Sequence, residues 1–163
     1  MDSASELFLG RAENELNLSV MILKISGDKE LQVKAFGMKE DTYYSAAIAH
    51  AYYSIFYAAK AYLLKKGLKT AAPEEHKKTY DAFARLVQDG TVDVELLQIY
   101  RNAFMKAGTL LHIFEFEKSR RGTFTYKRIP QANREPAQGS VEHAKVFYGH
   151  LFRLVGRVCK NSL

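Results

Sequence analysis

Six basic residues and no acid lie between Lys118 and Arg134: Lys118, Arg120, Arg121, Lys127, Arg128 and Arg134. The 163-residue chain carries 24 Lys+Arg against 18 Asp+Glu, so this one segment matches the whole net charge of +6. Cations concentrated in a short stretch set up a local field that attracts phosphates. Arginine adds a planar fork that grips a phosphate through paired N–H donors. A solvated basic loop is the plain alternative. The sequence around the run, RRGTFTYKRIPQANREPAQGS, holds two prolines and two glycines and has no helical stripe. It predicts a loop over about residues 118–139, and loops of roughly twenty residues inside a compact domain are commonly functional or disordered.

Other chemistry finds little support. The single cysteine, Cys159, allows no internal disulfide and reads as a packing residue. The five histidines (His50, His76, His112, His143, His150) include no pair four apart and no HExxH pattern, so neither a metal nor another cofactor is expected. His143 and His150 share a helix face but lie about two turns apart. His50, set in an apolar helix, reads as a hydrogen-bonded core residue rather than a ligand. Glu115 and Glu117 project to different faces and make poor paired acids. No Ser-His-Asp set or phosphate-cradling glycine loop is present. Acids near the N-terminus and the lack of a long apolar run predict neither a secretory signal nor a membrane span. A cytoplasmic protein is the expectation.

The elements that must hold the basic segment are helices. Leu9, Ala12, Leu16, Val20 and Leu23 recur at threes and fours and predict a first helix over about Ser5–Ser26. Gly27-Asp28 stops it and caps a short helix that ends near Gly37. The most hydrophobic stretch, YYSAAIAHAYYSIFYAAKAYLL, predicts a long helix from about Asp41 to Lys66, capped by Asp41 or Thr42 and ended by Lys65-Lys66-Gly67. It is apolar on nearly all faces, so it should be central and touched on several sides. Its tyrosines read as core and rim packing, with a stacking platform for bases as the less favoured option.

Pro73-Glu74-Glu75 suits the first turn of a third helix, which Asp89-Gly90 ends. A fourth starts near Asp93 and runs through Leu96, Tyr100, Phe104, Ala107, Leu111 and Phe114 toward Ser119. Ser140 is the expected cap of a last helix with Ala144, Phe147, Leu151, Val155 and Val158 on one face. The sum is one all-α domain over residues 1–163, an up-down bundle of four long helices plus a short helix.

The central helix resembles the signature helix of the HEPN superfamily. The matching pieces are Ala51-Tyr52-Tyr53, Phe56, Ala58-Ala59-Lys60-Ala61, Leu64 and Gly67, joined by His76 and Phe83 further on and by Ala12 and Leu16 before. The resemblance implies a homodimer. It also implies one of three roles: a metal-independent ribonuclease, a silent partner of a small nucleotidyltransferase in toxin–antitoxin modules, or a nucleotide binder. In the family, catalysis uses an Arg, four to six residues, then a His. Here the matching place holds Arg121-Gly-Thr-Phe-Thr-Tyr126, with tyrosine where the histidine belongs, and no arginine in the chain has a histidine at the required distance. Arg128 and Asn133 have the spacing but no base.

That departure matters chemically. Cleaving RNA requires a base on the 2′-hydroxyl, an acid on the leaving oxygen and positive charge at phosphorus. Histidine titrates near working pH, whereas Tyr126 would have to fall from about 10 to near 7, roughly 4 kcal/mol of differential stabilisation. Binding of RNA or nucleotide phosphates through the six cations is therefore the favoured reading. Cleavage by Arg121 and Tyr126 is the alternative.

Overall fold

Apolar residues on nearly every face of one helix decide the architecture. The structure, a computed structural model, describes residues 3–119 and 133–156, with side chains over 4–108 and 133–156. The described residues are all-helical: α1 (Ser3–Ser26), α2 (Lys29–Phe36), α3 (Tyr44–Lys65), α4 (Glu75–Gln88), α5 (Val94–Ser119) and α6 (Arg134–Gly156). Four of them are long, with 24, 22, 26 and 23 residues for α1, α3, α5 and α6; α4 with 14 residues is a second shorter helix beside α2.

Helix α3 packs against α1, α4, α5 and α6. Ala51, Ala58, Ala59 and Ala61 on α3 share one buried cluster with Ala12 on α1 and Ala144 on α6, all at most 1% exposed. Without long side chains between them, the helices approach closely and interdigitate at interior density. Farther along, Phe83 (α4), Tyr100 (α5) and Phe147 (α6) form a triangle with centroids 5.4–5.8 Å apart, Tyr100 edge-on to both phenylalanines and these tilted to each other. All three are fully buried, each contributing about 1.5–3 kcal/mol by area.

Three element ends differ from expectation. Neither Asp41 nor Thr42 caps α3. Asp41 instead accepts from the Thr42 N–H, and Tyr43 holds the cap position with its N–H donated to Ser26 Oγ at 2.8 Å. The buried Gln32 amide explains the switch. It donates to the carbonyls of Ile25 and Asp41 and accepts from the Asp41 N–H, fixing the α1–α2–α3 corner. Pro73 is not in the first turn of α4 either: Glu74, with φ of 57°, is the cap and Glu75 the first helical residue.

The third difference is the largest. The expected loop over 118–139 is helical from Arg134 onward, so α6 starts six residues before Ser140. Pro136 sits at the third helical position, where a missing N–H costs no helical bond. Ser140 lies inside the helix and donates to the Pro136 carbonyl. Ala137 and Val141 extend the apolar face that the sequence began at Ala144.

Candidate functional site

Most of the cationic segment lies outside the described residues: Arg120, Arg121, Tyr126, Lys127 and Arg128. So does Cys159. Lys118 belongs to the last turn of α5, with its side chain beyond those described. Only Arg134 can be placed. It opens α6 and is exposed, with its guanidinium carbon 3.8 Å from the position a side chain on Gly27 would take. That puts a cation beside the C-terminal end of α1, where exposed carbonyls favour it. Glu135 and Glu142 line the same shallow pocket, so Arg134 does not stand in a purely cationic setting.

A second constellation is fully described. Helix α1 packs on α2, α3 and α6, while α4 packs on α3 and α5, so α1 and α4 flank α3 without meeting. The α3 face between them carries His50, Tyr53, Tyr57 and Lys60, spaced by three or four residues on one side of the helix. Helical rise makes this strip about 15 Å long. The α1 wall supplies Phe8, which stacks on Tyr57 at 6.0 Å, and Arg11, whose guanidinium lies over both rings at 5.9 and 5.7 Å. The α4 wall supplies His76.

Each end of the strip is closed by a side-chain pair that includes a glutamate. His50 Nδ1 lies 2.6 Å from Glu15 Oε2. His50 is thus hydrogen-bonded as expected, but half-buried at the edge of the core rather than inside it. At the other end Lys60 pairs with Glu75, and its ammonium also sits 4.4 Å from the Phe8 ring centre. Lys60 is only 8% exposed, so removing Glu75 would leave a nearly buried cation unpaired.

His76 is held on two sides. Its ring stacks on Phe56 at 4.0 Å, and Tyr52 Oη lies 2.7 Å from Nδ1. Burial pushes the Tyr52 phenol well above its ordinary value of 10, so it keeps its hydrogen. Among the described residues Nδ1 is the one acceptor within its reach. In the tautomer in which the phenol donates to Nδ1, the imidazole carries its own hydrogen on Nε2. Burial, helped by Lys60 and opposed by Glu75, lowers His76 below 6.5 and keeps it neutral. In this form His76 offers a hydrogen through Nε2 instead of accepting one.

The site brings together residues that the sequence treats separately. Tyr53 and Tyr57 are half-buried rim residues, whereas Tyr52 and Tyr62 are in the core, so the tyrosines of α3 divide between packing and surface. Phe8 and Arg11 carry no signal of their own in the sequence, and Glu75 reads there only as an acid of a helix's first turn. The spacing of 53, 57 and 60 was visible there, but which helix would flank it was not. No group of three or more His, Cys, Asp or Glu suited to a metal occurs among the described residues. No helix searched among them is long and apolar enough to cross a membrane.

A family model described as HEPN domain matches residues 33–149, well over half of the chain. The chain belongs to the HEPN family. A comparison with curated proteins gives no match. The matched span of this HEPN protein takes in α3, α4, α5 and most of α6, and with them Tyr53, Tyr57, His76 and the cationic segment. Phe8 and Arg11 lie ahead of it, so one wall of the strip comes from outside the matched domain. HEPN domains are generally connected with nucleotides or RNA and commonly dimerise.

Proposed function

We propose that this HEPN protein binds the phosphates of RNA or of a nucleotide through Lys118, Arg120, Arg121, Lys127, Arg128 and Arg134. It does so as a homodimer in the cytoplasm, working with a small nucleotidyltransferase. The observation that carries the reading is the acid-free cationic run inside a HEPN-matched span. Two copies of the run facing one another in a dimer double the field that draws a polyanion.

The spacing Arg121-x4-Tyr126 favours a second reading, a metal-independent ribonuclease of toxin type. Its weakness is the missing base. His76 does not fill that place, since its Nδ1 is already taken up by the Tyr52 hydroxyl. Binding therefore ranks above cleavage.

The test is RNA binding and cleavage measured side by side without metal, for wild type and Arg121→Ala. The expected result is binding without cleavage, weakened in the variant. Cleavage by wild type that disappears in Arg121→Ala would make the protein a ribonuclease. RNA binding equal in both proteins would remove Arg121 from the site.

A further inference from the structure

The strip between α1 and α4 has features that packing alone does not require. The Arg11 guanidinium lies over Phe8 and Tyr57 with no carboxylate partner among the described residues, although Glu15 is one turn away and pairs with His50 instead. Tyr53 and Tyr57 keep part of their rings at the surface, stacked on each other at 6.4 Å, and their hydroxyls have no hydrogen-bond partner among the described residues. The His76 ring lies edge-on to Tyr53, at 5.9 Å between ring centres, and Nε2 is the ring nitrogen that Tyr52 leaves free to donate. Aromatic faces, one unpaired guanidinium and a neutral donor together suit a flat ring that bears an anion.

We propose that this strip holds an unpaired base of single-stranded RNA, stacked on Tyr53 and Tyr57. Arg11 takes the adjoining phosphate and His76 gives its N–H to an acceptor on the base. The choice of RNA rests on the reading of the cationic segment, and α5 runs from beside Tyr52, the partner of His76, to Lys118. Phe104 of α5 meets Tyr52 edge-on at 6.2 Å, and Lys118 follows fourteen residues later on the same helix. That is about 21 Å of helix, a span of a few nucleotides of extended strand. The cationic segment would hold the backbone while the strip holds one base, and stacking there tolerates any sequence because every base has a π-face.

The test uses a short single-stranded oligoribonucleotide with one 2-aminopurine and the same strand made abasic at that place. Wild type, Arg11→Gln and Tyr53→Leu are compared, with thermal melts as the folding control. The chain has no tryptophan to obscure the fluorescence. Wild type should quench the 2-aminopurine and bind the base-bearing strand about tenfold more tightly than the abasic one. Both effects should vanish in Tyr53→Leu while its affinity for the abasic strand is kept, and Arg11→Gln should weaken binding of both strands because both carry the phosphate it holds. Equal affinity of wild type for the two strands, or quenching that survives in Tyr53→Leu, overturns the base site and leaves the cationic-segment reading intact. Quenching lost in Tyr53→Leu with no affinity for the abasic strand supports the base site and overturns the cationic-segment reading. Free 2-aminopurine ribonucleoside monophosphate binding as tightly as the strand overturns the assignment to RNA in favour of a free nucleotide.

Discussion

Two aromatic clusters lie on α3 and its neighbours, and they are built for opposite ends. The triangle of Phe83, Tyr100 and Phe147 brings together α4, α5 and α6, and all three rings are fully buried. Among the described residues the strip of Phe8, Tyr53, Tyr57 and His76 is open along one side, closed at its ends by the His50–Glu15 and Lys60–Glu75 pairs and overlaid by Arg11. Residue type does not distinguish them, since both use rings at helical spacing. The difference is whether a further helix lies over the rings, and α1 and α4 stop short of each other above Tyr53 and Tyr57.

Truncation should break that comparison most sharply. Phe147→Ala empties a fully buried place and should cost about 3–5 kcal/mol in denaturant unfolding. Gln32→Leu should cost about 1–3 kcal/mol, because the Asp41 N–H and two carbonyls lose the buried amide that pairs them. Tyr100→Phe should move stability the other way, up by about 1 kcal/mol, since the Tyr100 hydroxyl is buried without a hydrogen-bond partner among the described residues. In the strip, Arg11→Gln should change stability by no more than about 0.5 kcal/mol, as an exposed residue does, while altering RNA binding. A loss of more than about 1 kcal/mol there would mean that the guanidinium is structural.

The smallest effect is one of pH. His76 titrates below 6.5 in the folded protein, so the unfolded chain takes up the proton first as pH falls. Its contribution to stability is complete above about pH 6.5 and declines below it. Melts of His76→Gln should lack that part of the acid decline; an identical profile in wild type and variant would remove His76 from the account.

Helix positions and the central place of α3 were legible because apolar periodicity survives without knowing the partner helices. The start of α6 was not. Pro136 and Gly139 read as breakers, yet the first turn of a helix has no N–H bonds for a proline to break, and Pro136 stands there. The α3 cap was missed because it comes from Ser26, seventeen residues away, and from a glutamine whose amide happens to face three backbone groups. In the strip, Tyr53, Tyr57 and His76 were all noticed, the tyrosines as packing or platform and the histidine as part of a family pattern. Arg11 was not, because nothing in one sequence reveals which turn of α1 faces Tyr57. The cationic segment, the clearest feature in the sequence, falls mostly outside the described residues.

The central claim is that this segment binds phosphate, and salt dependence tests it most directly. Affinity for a single-stranded oligoribonucleotide should be followed across salt concentration for wild type and for Arg120, Arg121 and Arg128 changed together to Ala. The account predicts weaker binding at every salt and a slope of log affinity against log salt shallower by about 2, or roughly 0.7 for each phosphate no longer neutralised. Unchanged affinity and slope in the triple variant would contradict it.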